Sequence, residues 1–385
     1  MSAPVPLRPQ LVALGAYHSL QAEAEVRLNT NESPYAPPVA WQRALAEAVG
    51  EADFHRYPDR DATELRGAIA ATHGVSPAEV FCANGSNEVL QCLLVAFGGP
   101  GRRALVFEPT YALHAHIAGL TGMDLVTEPR GGDLRVDPAR WRPALERVGP
   151  DVVFVCSPNN PTGRLEDPAL VAAMVDAAPG LVVVDEAYGQ FSSWSALALR
   201  GASPPGATTP SSGASASGDA ATPRHDSTPG ASSSAGLVVV RTFSKTWAMA
   251  GARLGYLVAD PEVVDGCRSA ALPYHLSVQT QLAGLLALRY ADDMDERVAM
   301  VTGARGQLTR GLAALDVDTW PSDANFVLFR PRRRDARDVW AALLADGVLV
   351  RDFSSRAGLE GCLRVTVGTP KENERFLEAL AGALG

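Results

Sequence analysis

The stretch RTFSKTWAMAGARLGY, residues 241–256, decides how the rest of the chain is read. An apolar run at 236–240 leads into it, and Lys245 follows Thr242 and Ser244 just beyond that run. Short Val-rich runs without polar alternation read as strands buried on both faces, which puts Lys245 at a strand exit. Gly251 interrupts the Trp/Met/Ala segment that follows, and Arg253 closes it eight residues after the lysine. An amine in that position can condense with an aldehyde, while two hydroxyls and a guanidinium fork beside it can hold a phosphate. A lysine that merely faces solvent after a strand is the alternative this stretch leaves open by itself.

The chain has 385 residues, 46% of them hydrophobic, enough to bury a large core and to divide into two domains. Residues 1–45 are expected to form an arm and part of a small domain, 46–265 a large domain, and 266–385 the small C-terminal domain. A net charge of −9 gives no basic footprint for a nucleic-acid partner. The N-terminus carries neither a spanning apolar run nor a charged-then-apolar secretion signal, so no membrane partner and a cytoplasmic location are expected. The five cysteines are scattered, odd in number and set mostly in apolar runs, and they read as reduced core residues.

Outward from the lysine stretch, the polar residues collect at strand exits. RALVF (103–107) delivers Glu108, Pro109, Thr110 and Tyr111; DVVFVCSPNNPTG (151–163) delivers Asn160; LVVVDEAYGQF (181–191) delivers Asp185 and Tyr188. Buried runs separated by helical patterns indicate a parallel sheet, and open α/β sheets place ligands at the carboxyl ends of their strands. Asp185 follows four apolar residues, so it is either a turn acceptor or the partner of a buried cation. In VFCANGSNEVLQCLLVAF (80–97), Gly85, Ser86 and Asn87 open a helix whose first N–H groups can seat a phosphate or simply be capped.

Earlier in the chain, Tyr17 and LNTNESPY (28–35, with Asn31) interrupt a Pro/Leu/Ala-rich arm, and a helical pattern covers 39–49. In HRYPDRDATELR (55–66) Asp61 or Thr63 is expected to cap the next helix, with Pro58 fixing the approach. Residues 201–236 are nearly all Ala, Ser, Gly, Pro and Thr; such a segment cannot offset its ordering entropy and reads as a flexible low-complexity surface insertion. Helices are expected at 261–270, 277–290 and 292–315, the last long enough to bridge two domains. A strand with alternating faces is expected at 325–330, a helix at 335–344, strands in GVLVRDF and CLRVTVG, and a closing helix at 371–380. Arg364, inside CLRVTVG, needs an anionic ligand or an internal carboxylate.

Other chemistries lack their residues. No glycine-rich piece ends as a P-loop, no strand leads into GxGxxG, and Ser86 and Ser244 have no His/Asp set for hydrolysis. His114 and His116 are two apart and do not share a helix face, so no metal site is expected.

The ordered set NTNESPY, HRYPD, NGSNE, SPNNPTG, VVVDEAY, TFSKTW with Arg253, and LRVTVG resembles the class II subgroup of fold-type-I pyridoxal-phosphate (PLP) aminotransferases. The resemblance covers essentially the whole chain and is nearest to histidinol-phosphate aminotransferases. The insertion and Ala36, where the family has Gly, depart from the pattern. The resemblance implies an α/β fold with a central, mostly parallel sheet and a smaller α+β domain. It implies that Lys245 bears the cofactor and moves the substrate proton, that Asp185 holds the pyridine nitrogen, and that Asn160 and Tyr188 bond the phenolic oxygen. Tyr111 would stack on the ring; Gly85, Ser86, Asn87, Thr242, Ser244 and Arg253 would hold the phosphate; Tyr57 would reach it across a homodimer interface. Arg364, with Tyr17 and Asn31, would bind the anionic end of glutamate and of a phosphorylated imidazole amino alcohol. The reaction implied is transamination between L-histidinol phosphate and 2-oxoglutarate, giving imidazole-acetol phosphate and L-glutamate, in histidine biosynthesis. An aromatic amino-acid aminotransferase and a threonine-phosphate decarboxylase share most of these residues and stay as alternatives.

Overall fold

A computed structural model describes residues 5–8, 11–12, 22–200 and 236–385. Tyr17 and, apart from Gly236, the 201–236 insertion lie outside the described residues. A seven-stranded sheet forms the centre of the larger layer system, in the order β2 (Val80–Ala83), β8 (Gly255–Val258), β7 (Leu237–Thr242), β6 (Leu181–Asp185), β5 (Val152–Cys156), β3 (Arg103–Glu108) and β4 (Asp124–Pro129). Every neighbouring pair from β7 to β4 is parallel, and β8 alone runs against both its neighbours.

The Val-rich strands sit in the middle because both of their faces are covered. Val153, Val155, Val182, Val184, Leu237 and Val239 pack into one apolar cluster, and Val152, Phe154, Val183, Val238 and Val240 into another on the opposite face. Successive side chains point to opposite faces of a strand, so an unbroken apolar run feeds two helix-covered layers at once. All five cysteines are free and buried, and burial pushes the Cys82 and Cys267 thiols up to about 12.

The second sheet has five strands in the order β1 (Val26–Leu28), β11 (Val348–Asp352), β12 (Leu363–Thr366), β10 (Phe326–Pro331) and β9 (Val317–Thr319). β10 does not alternate as expected: Phe326 to Phe329 are all buried and only Arg330 is exposed. Phe326, Val327 and Phe329 join the main cluster of this sheet, whereas Leu328 is covered by Cys362, Leu359, Trp320 and Phe353. The face assumed to meet water is closed by a loop. The helix Ala291–Ala313 joins the layers, giving Met294 to the large-sheet core and Val301, Ala304, Leu308 and Leu312 to the small-sheet core.

Three strands have no apolar run to announce them, the short β9 among them. β4 is an edge strand with no buried residue, and β1 is three residues long inside the arm, paired in parallel with β11. The cap of the helix Thr63–His73 also differs from expectation. Asp59, rather than Asp61 or Thr63, accepts from the N–H groups of Asp61 and Thr63 at 3.0 and 2.7 Å, and the Thr63 bond holds its carboxyl below the usual range.

The ends of the insertion are tied together far from the carboxyl ends of the strands. The Arg200 guanidinium donates to the Leu237 carbonyl at 3.2 Å and pairs with Glu79 at 2.7 Å and Asp260 at 2.8 Å. Leu237 starts β7 and Thr242 ends it, about 17 Å away at the rise of an extended strand. Replacing residues 201–235 with a short Gly/Ser link is therefore expected to leave the melting temperature and the catalytic rate unchanged. A large loss in both would show that the segment packs against the body of the protein.

Candidate active site

The carboxyl ends of β3, β5, β6 and β7 open on a cavity of about 470 Å³ that is closed on its other side by β11, β12 and the loop after β11. Asn31, Ser86, Asn87, Tyr111, Asn160, Asp185, Tyr188, Thr242, Ser244, Lys245, Arg253 and Arg364 all line it. Gly85 touches it through Arg253. Tyr57 does not reach it: the residue is 80% exposed and its ring stacks on Tyr274 at 4.5 Å.

One end of the cavity is an anion seat. The helix Ser86–Phe97 starts at Gly85 with no side-chain cap, so its first N–H groups are open to a ligand. Gly85 has φ +82, which side chains rarely adopt, and a Cβ there would stand 2.7 Å from Arg253 Nη2, so a larger residue would be strained and would push the guanidinium aside. A Cβ on Gly255 would lie 2.3 Å from Ser86 N, which lets β8 pass directly under the helix start. Thr242 and Ser244 complete the seat with hydroxyls 2.9 Å apart.

Lys245 is half-buried, and its Nζ donates to the Thr30 carbonyl at 3.1 Å. Burial, with the positive charges of Arg364 and Arg253 adding to it, brings its ammonium down to about 8. An appreciable share of the amine is then neutral near neutral pH, as a nucleophile requires. Lys245 and Lys371 are the chain's only lysines, and Lys371 is exposed on the closing helix.

Asp185 ends β6 at 1% exposure. Its Oδ1 accepts from Ala187 N at 3.0 Å and its Oδ2 meets His114 Nε2 at 2.9 Å. A carboxylate oxygen can only accept, so Nε2 carries the proton. His114 is sandwiched against Phe154 at 4.7 Å and lies edge-on to Tyr111 at 5.4 Å. Sequence reading set His114 aside as half of an H-x-H pair. The usable signal is its spacing from Tyr111: residues three apart share a helix face, so a tyrosine over the cavity puts the histidine below it.

Opposite stands a relay of fixed amides. Arg364 donates to Asn160 Oδ1 at 2.5 Å and to the Asn29 carbonyl at 2.8 Å. Because a guanidinium only donates, the Asn160 oxygen must face it and the Asn160 amino group turns to the Tyr188 hydroxyl, 3.4 Å away. Asn31 Nδ2 donates to the same hydroxyl at 2.9 Å, and Thr366 Oγ1 fixes Asn31 by donating to its Oδ1 at 3.1 Å. With both acceptor positions of Tyr188 occupied, its O–H is left to donate into the cavity. Burial raises its pKa to about 12, so that proton stays in place.

Arg351 and Arg356 also line the cavity and were not singled out from sequence. Arg351 sits opposite Arg364 in the β11–β12 pair, and both guanidinium groups lie against Phe353, at 5.8 and 5.3 Å. The argument that picks out Arg364, a charge in an apolar strand, applies equally to Arg351 in GVLVRDF. Among the described residues no cluster of His, Cys, Asp and Glu could hold a metal, and no helix is long and apolar enough to cross a membrane.

This geometry coincides with likeness to known proteins. A histidinol-phosphate aminotransferase of Frankia casuarinae is 45% identical over 392 aligned positions, covering 99% of this chain and 90% of that protein. One from Thermobifida fusca is 44% identical over 389, covering 99% and 96%. The crystal structure of histidinol-phosphate aminotransferase from Sinorhizobium meliloti in complex with pyridoxal-5'-phosphate superposes with a TM-score of 0.78 at 25% identity, covering 94% of this chain and 91% of that one. The model of the aminotransferase class I and II family matches residues 23–380, and the chain belongs to that family.

Proposed function

We propose that this enzyme uses pyridoxal phosphate to exchange the amino group of L-histidinol phosphate with 2-oxoglutarate, a step of histidine biosynthesis. The observation that carries the reading is the division of positive charge in the cavity. Five basic side chains, Lys245, Arg253, Arg351, Arg356 and Arg364, line it against two acidic ones, Glu32 and Asp185, in a chain of net charge −9. Arg253 belongs to the anion seat, while Arg351, Arg356 and Arg364 stand on the opposite wall. Two anionic groups, one at each end of a central amine, fit that layout: the cofactor's phosphate and the substrate's.

The residues present fit this cofactor. A bare helix start, a glycine that admits Arg253, a lysine brought down to about 8 and a buried carboxylate with its own donors meet at one cavity. When bound, pyridoxal phosphate supplies an aldehyde that takes up the amino group and a ring that accepts electron density from the substrate carbon. Gly85, Ser86, Asn87, Thr242, Ser244 and Arg253 hold the phosphate. Tyr111 would stack on the ring. Asp185, oriented by His114 and Ala187 N, would hold the ring nitrogen and favour its protonated form. Asn160 and Tyr188 donate to the phenolic oxygen, Tyr188 with the hydrogen its amide neighbours leave over. Lys245 Nζ would bind the cofactor, and it is the base that would move the substrate proton. Arg364 binds the anionic end of either substrate, with Asn31 on the same wall; Tyr17, assigned to that end from the sequence, lies outside the described residues.

A homodimer in the cytoplasm goes with this reading. Tyr57 at 80%, Leu272 at 77% and Tyr274 at 42% exposure give a surface suited to a second copy, whose Tyr57 would complete the phosphate seat. The domain division at 46–265 and 266–385, with 1–45 shared, belongs to the same reading, with the helix Ala291–Ala313 bridging the two cores through Met294 on one side and Val301, Ala304, Leu308 and Leu312 on the other.

The reading is tested by comparing kcat/KM for L-histidinol phosphate, phenylalanine, tyrosine and threonine phosphate as donors to 2-oxoglutarate under identical conditions. Histidinol phosphate should lead. A higher value for phenylalanine or tyrosine would establish an aromatic aminotransferase instead, and carbon dioxide release from threonine phosphate would establish a decarboxylase.

A further inference from the structure

Arg356 is built differently from the other two arginines of its wall. It lies on the loop after β11, and its Nη2 donates across the cavity mouth to Glu108 Oε2 at 2.8 Å and to the Thr110 carbonyl at 2.7 Å. The same Glu108 oxygen accepts from Thr110 N at 2.9 Å. The Thr110 peptide is thus gripped at both its N–H and its C=O, and both hydrogens of Nη2 are used by the large-sheet side. The remaining N–H groups of Arg356, on Nε and Nη1, donate to none of the described residues, and the side chain lines the cavity at 25% exposure. Glu108, one carboxylate facing one guanidinium nitrogen, fixes where that positive charge stands.

We propose that Arg356 is a specificity-determining residue that binds the phosphate end of the amino donor, held in place for it by Glu108. The inference rests on the reading that this donor carries a phosphate. A carboxylate has two oxygens and is matched by one guanidinium fork, which Arg364 supplies. A phosphate has three terminal oxygens and a second negative charge, so it can engage Arg364 and a second guanidinium at the same time. Both substrates use the one cavity in turn, so a second cation engaged by the larger anion would separate them without weakening glutamate.

The test compares the cofactor-loaded wild type with Arg356→Gln and Arg356→Lys in both half-reactions. Arg356→Gln should raise KM for histidinol phosphate about tenfold or more, the loss expected for a charged hydrogen bond, with kcat and the glutamate half-reaction nearly unchanged. Arg356→Lys keeps the charge and should recover part of the lost affinity. Equal losses in both half-reactions would show that Arg356 only props the Thr110–Tyr111 turn, and unchanged KM in both variants would show that it does not meet the substrate; either overturns the proposal. A wild-type enzyme that reacts with glutamate but not with histidinol phosphate would remove the functional reading and this proposal together, a result visible before any variant is made.

Discussion

Replacing Lys245 with alanine should lower the transamination rate by on the order of 10⁴-fold or more, because the variant loses the amine proposed both to bind the cofactor and to move the proton. The side chain is half-buried with one hydrogen bond, to the Thr30 carbonyl, so the fold should survive its removal. The chain has only Lys245 and Lys371 as lysines, which makes the covalent test binary. Borohydride treatment of the loaded wild type followed by peptide mapping should give a stable adduct on the Lys245 peptide, absent from the variant. An adduct on Lys371 would sink the assignment.

Asp185→Asn should cost about 10³-fold in rate, the scale of removing a buried charge that the reaction relies on, while the protein stays folded. The carboxylate accepts from both Ala187 N and His114 Nε2, and an amide has only one acceptor oxygen. His114 can absorb the change: among the described residues its Nδ1 has no hydrogen-bond partner, so the ring proton can move there and leave Nε2 to accept from the new amino group. The variant should therefore bind cofactor through Lys245 and melt within a few degrees of the wild type, yet turn over slowly. A half-reaction rate equal to the wild type's would remove Asp185 from the mechanism.

The parts legible in the sequence are those in which one local cause dominates. Unbroken valine runs can hide both faces only inside a covered sheet, so β5, β6 and β7 and the polar residues at their ends could be read directly. β4 and β1 could not: the first is an edge strand with no buried residue, and the second is held by a partner more than three hundred positions away. The same limit applies in the site. Asp185 stands out because its charge ends an apolar run, and Lys245 because it follows such a run with two hydroxyl residues just before it. His114 earns its place only through Asp185, 71 residues on, and Arg356 only through Glu108, 248 residues back. Arg351 was legible by the reasoning used for Arg364, since it too stands in an apolar strand run.

If one cavity carries an amino group from glutamate to a phosphate-bearing ketone, the two half-reactions can be run apart. Loaded enzyme is mixed with glutamate alone, freed of small molecules, and then given imidazole-acetol phosphate. The account predicts stoichiometric 2-oxoglutarate in the first stage, before any acceptor is present, and an equal amount of L-histidinol phosphate in the second. No 2-oxoglutarate without the second substrate, or no histidinol phosphate after it, would contradict the account.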